Sequence, residues 1–321
     1  MVYYTMRVLI LLILGFCGVG VYGQTCCSGG VPMSGNIGLP IADSKAIQLS
    51  TSYDLNLLKT LKSGNETLND QSRERTTQTF LLQAGYQVTD RLAVEILLPY
   101  IIQKRIISQF GNEQITQTHG IGDMALLVKY AVINHLYWTV RSGIGLKVAT
   151  GRSDKTNNNI TLNADLQPGS GANDLIFWSA LGHGLALRPS TNFHFMGVYR
   201  LTGVNENYLN SFSYRFGNEL SLMAGLADQF TIGPIITNPS LTFRYRHVQT
   251  DTQNDFILPN TGGKWIFFRP GIILSWWRDM ALNYYSEIPI WTEVGGVQLS
   301  PTVRHNIGIL TTLKFGSDEG F

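Results

Sequence analysis

Apolar and polar residues alternate along much of the chain, and the segment GIGDMALLVKYAV at 120–132 shows the pattern clearly. One row of alternate residues is apolar throughout and consists of Met124, Leu126, Val128, Tyr130 and Val132. The other row contains the charges Asp123 and Lys129, which a helix would not place on one polar face. Successive side chains of a strand point to opposite faces. The segment is therefore predicted to be a strand with one apolar face and one charged face.

The same alternation predicts twelve strands along the chain. Several of them exceed the ~5–6 residues of an ordinary soluble strand and suit the ~9–11 residues that cross a bilayer. The predicted strands are 45–58, 76–88, 91–105, 119–133, 137–150, 172–186, 191–203, 212–226, 239–249, 264–277, 279–290 and 299–315.

The predicted connections alternate between short and long. The short ones are Thr89-Asp90, Asn134-His135, Arg188-Pro189-Ser190, a stretch around Asp228-Gln229, and Arg278-Asp279. The long ones are 59–75, 106–118, 151–171, 204–211, 250–263 and 291–298. Outer-membrane barrels show this asymmetry, with short periplasmic turns and long external loops. We therefore expect loop 151–171 to be extracellular and the turn Asn134-His135 to be periplasmic.

Apolar rows that face outward around the whole molecule require lipid, whereas a soluble sandwich would bury them in a shared core. Backbone groups in lipid must all be paired, so the sheet has to close on itself. The sequence predicts an all-β fold, a transmembrane antiparallel up-and-down β-barrel of about 12 strands over residues 45–315. We expect it to lie in the lipid bilayer of the bacterial outer membrane.

The N-terminal segment predicts export of the chain. Residues 1–23 combine Arg7, a short apolar core and the ending Val21-Tyr22-Gly23, as a signal peptide does. The alternative is a membrane anchor, but the apolar run is short and interrupted by glycines. Residues 24–44 then form an N-terminal periplasmic tail, and residues 316–321 form a C-terminal tail.

Two adjacent cysteines, Cys26 and Cys27, lie in the predicted N-terminal tail. Adjacent cysteines do not bond each other without strain, and two thiols alone are an incomplete metal site. The pair is a weak candidate for binding a soft metal, or for pairing with a periplasmic partner through the tail. The alternative is a flexible tail without a ligand.

Charged residues make up only 14% of the chain, and its formal net charge is +2. At positions that the strand alternation turns inward, however, ten residues are basic: Lys129, Arg141, Lys147, Arg200, Arg215, Arg244, Arg246, Arg269, Arg304 and Lys314. Four inward residues are acidic: Glu95, Asp123, Glu219 and Glu287. We predict that these side chains line a pore and that the basic surplus favours anions. The alternative is that the arginines pair with the acids and fill the barrel with a polar network.

Four motifs follow one another along the chain: RLAVEILLPYI; GIGDMALLVKY with Gly120, Gly122, Asp123, Lys129 and Tyr130; GLKVATGRSD with Gly151; and LQPGSGANDLIFW with Gly169, Gly171 and Asp174. Together, in this order, they resemble the outer-membrane transporter family named for the MetA pathway of phenol degradation. The resemblance spans most of the mature chain. It implies a barrel that transports small compounds, without implying phenol as the substrate. The motif glycines are also expected to have structural roles, at strand bends and tight returns.

No pattern in the sequence predicts an enzyme or a cofactor. The histidines are scattered without metal-ligand spacing, and no nucleophile elbow occurs. No domain carries a basic patch for nucleic acid. The predicted function is to pass or gate small solutes, anionic or small organic compounds among them. The alternative is a structural or partner-binding barrel without transport.

Overall fold

The computed structural model describes residues 46–314 except 110, 136, 187 and 278. The predicted signal peptide, the N-terminal tail with Cys26 and Cys27, and the tail 316–321 lie outside the described residues. Within the described residues, no helix is long and apolar enough to cross a membrane. One 3-10 turn, Ala164–Leu166, is the only helical element in this part of the chain.

All remaining regular structure in the described residues is β. The strands are β1 Ala46–Gly64, β2 Glu66–Leu68, β3 Arg73–Gln87, β4 Leu92–Gln109, β5 Asn112–Ile121, β6 Met124–Asn134, β7 Trp138–Val148, β8 Thr156–Asn157, β9 Ile160–Thr161, β10 Asp174–Leu185, β11 Arg188–Leu201, β12 Asn205–Tyr208, β13 Phe212–Arg215, β14 Glu219–Ala227, β15 Phe230–Ile232, β16 Ile235–Val248, β17 Thr252–Gln253, β18 Phe256–Ile257, β19 Gly263–Trp277 and β20 Met280–Lys314.

Eleven of these strands form one closed antiparallel ring. Its order is β1-β3-β4-β6-β7-β10-β11-β14-β16-β19-β20, and β20 returns to β1. The long β20 crosses the wall twice, because residues 280–294 pair with β19 and residues 297–314 pair with β1. Gly296, with a φ of +68°, lies at the reversal between the two halves, where a left-handed backbone favours glycine. The wall therefore has twelve crossings, and the predicted all-β barrel is confirmed.

The two faces of the wall separate as the alternation predicts. In β6, Leu127 and Lys129 are buried inside, whereas Leu126 and Val128 are 38% and 44% exposed on the outside. In β10 both alternating rows contain large apolar residues, so the alternation alone does not decide which row faces inward. In the structure its inward side chains are Asp174, Ile176 and Trp178, and its outward ones are Leu175 and Phe177. The exterior is thus an apolar band suited to lipid, and the charges of these strands are confined to the interior.

Two segments that were predicted to be loops are strands, which corrects the sequence-based boundaries. Residues 106–118 lie in β4 and β5, which form a hairpin at Gly111, and residues 291–298 lie in the hairpin within β20. These strands continue beyond the bilayer into the aqueous region and remain paired there. A polar composition therefore does not indicate a loop at these positions. At the other end, the predicted turn Arg188-Pro189-Ser190 is the beginning of β11.

The predicted strand 212–226 is also wrong as one element, because it divides into β13 and β14. At the break, a Cβ on Gly217 would lie 1.8 Å from the Gln249 carbonyl oxygen, so only glycine allows this close passage. β13 leaves the wall and joins a separate sheet with the order β12-β13-β17-β18. Arg215, predicted to line the pore, therefore lies in this loop sheet and not in the barrel wall.

Pro99 marks the place where β4 changes its partner. Before it, β4 pairs with β6, and after it β4 pairs with β5. Proline has no N–H to donate to a ladder, so it suits this break. The Gly122 N–H, between β5 and β6, donates to the Pro99 carbonyl at 2.9 Å. The change of partner places the following residue, Asp123, inside the barrel, where it is fully buried.

Leu126 gives a direct test of the lipid-facing surface. We expect Leu126→Arg to lower the free energy of unfolding by about 2–4 kcal/mol, because a charge in the lipid-facing band is costly. The matched control is Ile257→Arg, an exposed isoleucine in the loop sheet, which should change stability by no more than ~0.5 kcal/mol. Urea unfolding of the barrel in lipid vesicles measures both variants. Equal losses would contradict a lipid-facing position for Leu126.

Candidate functional site in the barrel lumen

Residues 162–172, called the inner loop below, fold into the barrel and are buried without interruption from 164 to 170. Asp165 reaches the inner wall at Arg75 of β3, where Arg75 Nη1 lies 2.8 Å from Asp165 Oδ2. On β5, which pairs with β4, the Thr118 hydroxyl donates to the Leu166 carbonyl at 2.6 Å. The inner loop is thus fixed by polar contacts to the inside of the wall and narrows the lumen.

The end of the inner loop is held by Asp123 and Lys147. Asp123 accepts hydrogen bonds from the Ser170 N–H at 2.9 Å, the Ser170 hydroxyl at 2.7 Å and the Gly151 N–H at 3.1 Å. Lys147 Nζ lies 2.6 Å from Asp123 Oδ2 and 3.2 Å from Asp174 Oδ2. Three motifs that are far apart in sequence, GIGD, TGRSD and PGSGAND, therefore converge at one point. Asp123, Gly151 and Asp174 of the family resemblance all belong to it.

The motif glycines lie around this convergence point, where backbone segments from different parts of the chain are in close contact. A Cβ on Gly169 would lie 2.4 Å from the Gly151 carbonyl carbon, so a side chain at this position would separate the two segments. Gly171 has a φ of +71°, a conformation that favours glycine. The other two motif glycines, which lie beside Pro168 of the inner loop, are Gly120 and Gly122. Tyr130 is an exception, since it is exposed on the lipid face.

The loop sheet covers the inner loop from the side of the long connections. Tyr208, Tyr214 and Phe216 pack with Ala164 of the inner loop in one apolar cluster. The Tyr214 hydroxyl donates to Asp251 Oδ2 at 2.6 Å, and burial raises the pKa of the Asp251 carboxyl. Displacing the inner loop would therefore disturb the packing of the loop sheet as well.

A connected network of ion pairs runs along the lumen and is called the charge belt below. Its members, in order around the wall, are Asp123, Lys147, Asp174, Arg200, Glu219, Arg246, Arg244, Glu287, Arg269, Arg304 and Asp54. The N···O distances within it run from 2.6 to 3.9 Å. Six members are basic and five are acidic, so the belt carries one net positive charge. Nine of the eleven were predicted to line the pore.

The other predicted lumen charges divide into paired and unpaired groups. Lys129 forms a buried salt bridge with Glu95, and its Nζ lies 5.1 Å from the centroid of the Trp178 ring. Arg141 and a further inward arginine, Arg105, form no salt bridge within the described residues. Lys314, predicted to point inward, is exposed at the end of β20. The arrangement is close to the alternative in which the arginines pair with acids.

Five charges of the lumen were missing from the predicted pore lining: Asp54, Arg75, Arg105, Asp165 and Asp174. Asp54 belongs to the polar row of the first predicted strand, so the alternation contained a signal that could have placed it inside. Arg75 precedes the predicted strand 76–88 by one residue, because β3 begins earlier, at Arg73. Asp165 lies in a long connection, where no alternation indicates which way a side chain points. It could be found only from the folded inner loop.

Asp123 and Asp174 separate the inner loop from a part of the wall that is lined by apolar side chains. The buried cluster consists of Leu81, Leu97, Ala125, Leu127, Ile176, Trp178 and Val198. Gly145 of β7 makes room for it, since a Cβ there would lie 2.3 Å from Leu127 Cδ2. The lumen therefore has an apolar arc from β3 to β11, and a second apolar cluster of Val248, Trp265, Phe267 and Val294 lies among the charged and polar side chains of the remaining wall.

Histidine and carboxylate positions give no metal site in the part of the chain that the structure describes. No group of three or more His, Cys, Asp or Glu side chains there could hold a metal ion. The weak candidates Cys26 and Cys27 lie outside these residues and stay a prediction.

No family model and no curated protein matches this sequence. The chain is similar in structure to the COG4313 outer membrane channel from Pseudomonas putida F1, with a TM-score of 0.67 and 15% identity, over 86% of this chain and 97% of that chain. Lower TM-scores link it to the CymD monoaromatic hydrocarbon channel (0.44, 8% identity, 85% of this chain and 90% of that one). A Pseudomonas aeruginosa FadL homologue scores 0.41 at 8% identity, over 85% and 91% of the two chains. The first similarity and the closed ring show that the fold is an outer-membrane β-barrel.

Lys147 gives a test of the buried ion pairs. We expect Lys147→Met to lower the free energy of unfolding by about 3–5 kcal/mol, because it leaves Asp123 and Asp174 buried without their cation. Arg152→Met is the control, since Arg152 pairs with Asp154 at 2.9 Å on the exposed surface and its loss should cost ~1 kcal/mol or less. Urea unfolding in vesicles compares the two. Similar small losses would show that the contacts of Lys147 do not stabilise the fold.

Proposed function

We propose that the protein is an outer-membrane channel for small solutes and that the inner loop is its gate. The observation that carries the proposal is the docking of the inner loop inside a closed barrel through the buried pair Arg75–Asp165. At Asp123 and Lys147 the ion pair is reinforced by three hydrogen bonds and by close glycine packing, whereas the middle of the inner loop meets the wall through one ion pair and a few hydrogen bonds. Polar contacts suit a segment that docks and leaves.

Two further observations support a channel. The similar structure from Pseudomonas putida F1 is described as an outer membrane channel. The motif resemblance implies transport of small compounds, and the residues of those motifs hold the end of the inner loop. We therefore propose that the motifs serve to position the gate.

Asp165 is the residue whose change tests the gate. We expect Asp165→Asn to give more frequent or longer openings in planar lipid bilayers than the wild type. Breaking a buried pair typically costs about 3–5 kcal/mol, which would favour the undocked loop by more than ~100-fold. The control is Asp154→Asn, the same change in the same connection at an exposed pair, which should leave the openings unchanged.

Each outcome bears on a different part of the proposal. A folded Asp165→Asn barrel that opens no more often than the wild type would contradict the gate. Silence of every variant under all voltages would instead favour the alternative, a structural or partner-binding barrel. A wild type that stays open while the inner loop is docked would show a path that the inner loop does not control.

The preference for anions stays a prediction, and the comparisons give it no support. The charge belt reduces its basis, because most of the inward arginines are paired with acids. A smaller basis remains in Arg105 and Arg141, which point inward without a salt bridge within the described residues. We propose that any anion preference of the open channel comes from these two side chains.

The reversal potential across a salt gradient tests this assignment. We expect Arg105→Gln/Arg141→Gln to reduce the anion selectivity of the wild type, because the local positive potential falls. Lys104→Gln is the matched control, since Lys104 neighbours Arg105 but is exposed on the outside of β4. The effect should be larger at 0.1 M than at 1 M salt, since the Debye length falls from ~10 to ~3 Å. A cation-selective wild type, or an unchanged double variant, would contradict the prediction.

A further inference from the structure

The inner face of β1 is polar over five successive inward positions, from Gln48 to Asn56. The flanking strands β3 and β20 continue this polar surface, whereas the arc from β3 to β11 is largely apolar. The central part of the surface, called the polar track below, consists of Ser52, Asp54, Asn56, Thr77, Thr79 and Arg304. It lies along the wall between the two ends of the barrel.

Strand pairing places these side chains in rows across three strands. Asn56 is opposite Thr77 on β3 and opposite Arg304 on β20. Asp54 is opposite Thr79 in the next row. Cβ atoms of directly opposite residues are ~4.5–5.5 Å apart, so one small polar molecule could contact side chains of two or three strands.

Five buried polar atoms of the track have no hydrogen-bond partner within the described part of the chain. They are Ser52 Oγ, Asn56 Oδ1, Thr77 Oγ1, Thr79 Oγ1 and Arg304 Nη2. Buried polar groups in native proteins are nearly always bonded, so a local concentration of exceptions needs a reason. In the proposed channel, a polar molecule in the lumen would supply the missing partners.

The chemistry of the five atoms indicates what that group is. Three are hydroxyls that both donate and accept, one is an acceptor oxygen, and one is a donor nitrogen. The charge of Arg304 is balanced, since its Nε lies 2.8 Å from Asp54 Oδ2 and its Nη1 lies 3.5 Å from Glu287 Oε2. The track therefore offers hydrogen bonds without an excess charge, which suits a neutral molecule.

We propose that the polar track is the solute path of this channel and that it binds the hydroxyl groups of small neutral solutes. The inference rests on the proposed channel function and names its substrate class. Water offers the same hydroxyl chemistry, so the test must separate the two. The class differs from the anions that the sequence predicts.

The gate and the track are adjacent on β3. Arg75, Thr77 and Thr79 are successive inward positions of this strand, and Arg75 holds Asp165 of the inner loop. The inner loop is thus attached to the wall two residues before Thr77, at one end of the track. Undocking of Asp165 would open the lumen beside that end.

Swelling of liposomes that contain the full-length protein measures the proposed path, with xylitol as the neutral hydroxyl solute. We expect Ser52→Ala/Thr79→Val to lower the initial rate of xylitol entry by about two- to tenfold per hydroxyl removed. The matched control is Thr51→Val/Thr76→Val, which removes one hydroxyl from each of the same strands on the outward face. Its xylitol entry should equal that of the wild type. Ser52→Ala/Thr79→Ser restores the hydroxyl at position 79 and should recover the about two- to tenfold factor of one hydroxyl.

Stability provides a second readout, because the removed hydroxyls have no partner in the fold. The double variant should keep the urea midpoint of the wild type. A lower midpoint together with slower entry would assign the hydroxyls a structural role and overturn the proposal. Unchanged xylitol entry would also overturn it, as would slower water flow with normal xylitol entry, since the track would then carry water alone. Failure of the wild type to pass ions, xylitol or any other solute would instead overturn the proposed channel function.

Discussion

Every backbone N–H and C=O group that lies in a bilayer must find a partner within the protein, and the rest of this structure depends on that constraint. A sheet satisfies it only when its edges meet, as β20 and β1 do here. Once the sheet is closed, each strand has one face toward lipid and one toward a common interior. The alternation of each strand then decides which charges share that interior, because a one-residue slip would exchange the faces.

Charges that are gathered in a narrow interior must be paired, since desolvation makes an isolated buried ion costly. The charge belt is the consequence: Arg244 lies between Glu219 and Glu287, and Arg304 lies between Glu287 and Asp54. Asp174, Glu219 and Glu287 are each shared by cations from different strands. The belt therefore links strands across the lumen in addition to the backbone ladder, and it leaves little unbalanced charge along most of the wall.

In the proposed channel, the inner loop is the segment that closes the lumen. It is held at one end by Asp123 and Lys147, where three sequence motifs meet around closely packed glycines. Its middle part is held by the ion pair of Asp165 with Arg75 and by hydrogen bonds from the Thr118 and Gln103 side chains to loop carbonyls. This division gives the loop a fixed attachment and a polar contact that can be released. The polar track begins at Thr77, two residues from Arg75 on the same strand. The movement that breaks the Arg75–Asp165 ion pair would therefore open the lumen next to the proposed path.

The sequence by itself determined the architecture and most of the inward charges, because alternation is local: Leu126 and Lys129 are three residues apart, and their opposite faces follow from strand geometry alone. It did not determine which partners the charges find, since pairing depends on the register between strands that are distant in sequence. Arg304 and Asp54, 250 residues apart, meet only because the ring closes. Asp165 lies in a connection without alternation, so its position inside the barrel was decided by tertiary contacts. Composition likewise did not distinguish the connection 204–211, which enters the separate loop sheet, from the hairpin 106–118, which extends the wall strand β4, because antiparallel pairing forms on both sides of the membrane boundary.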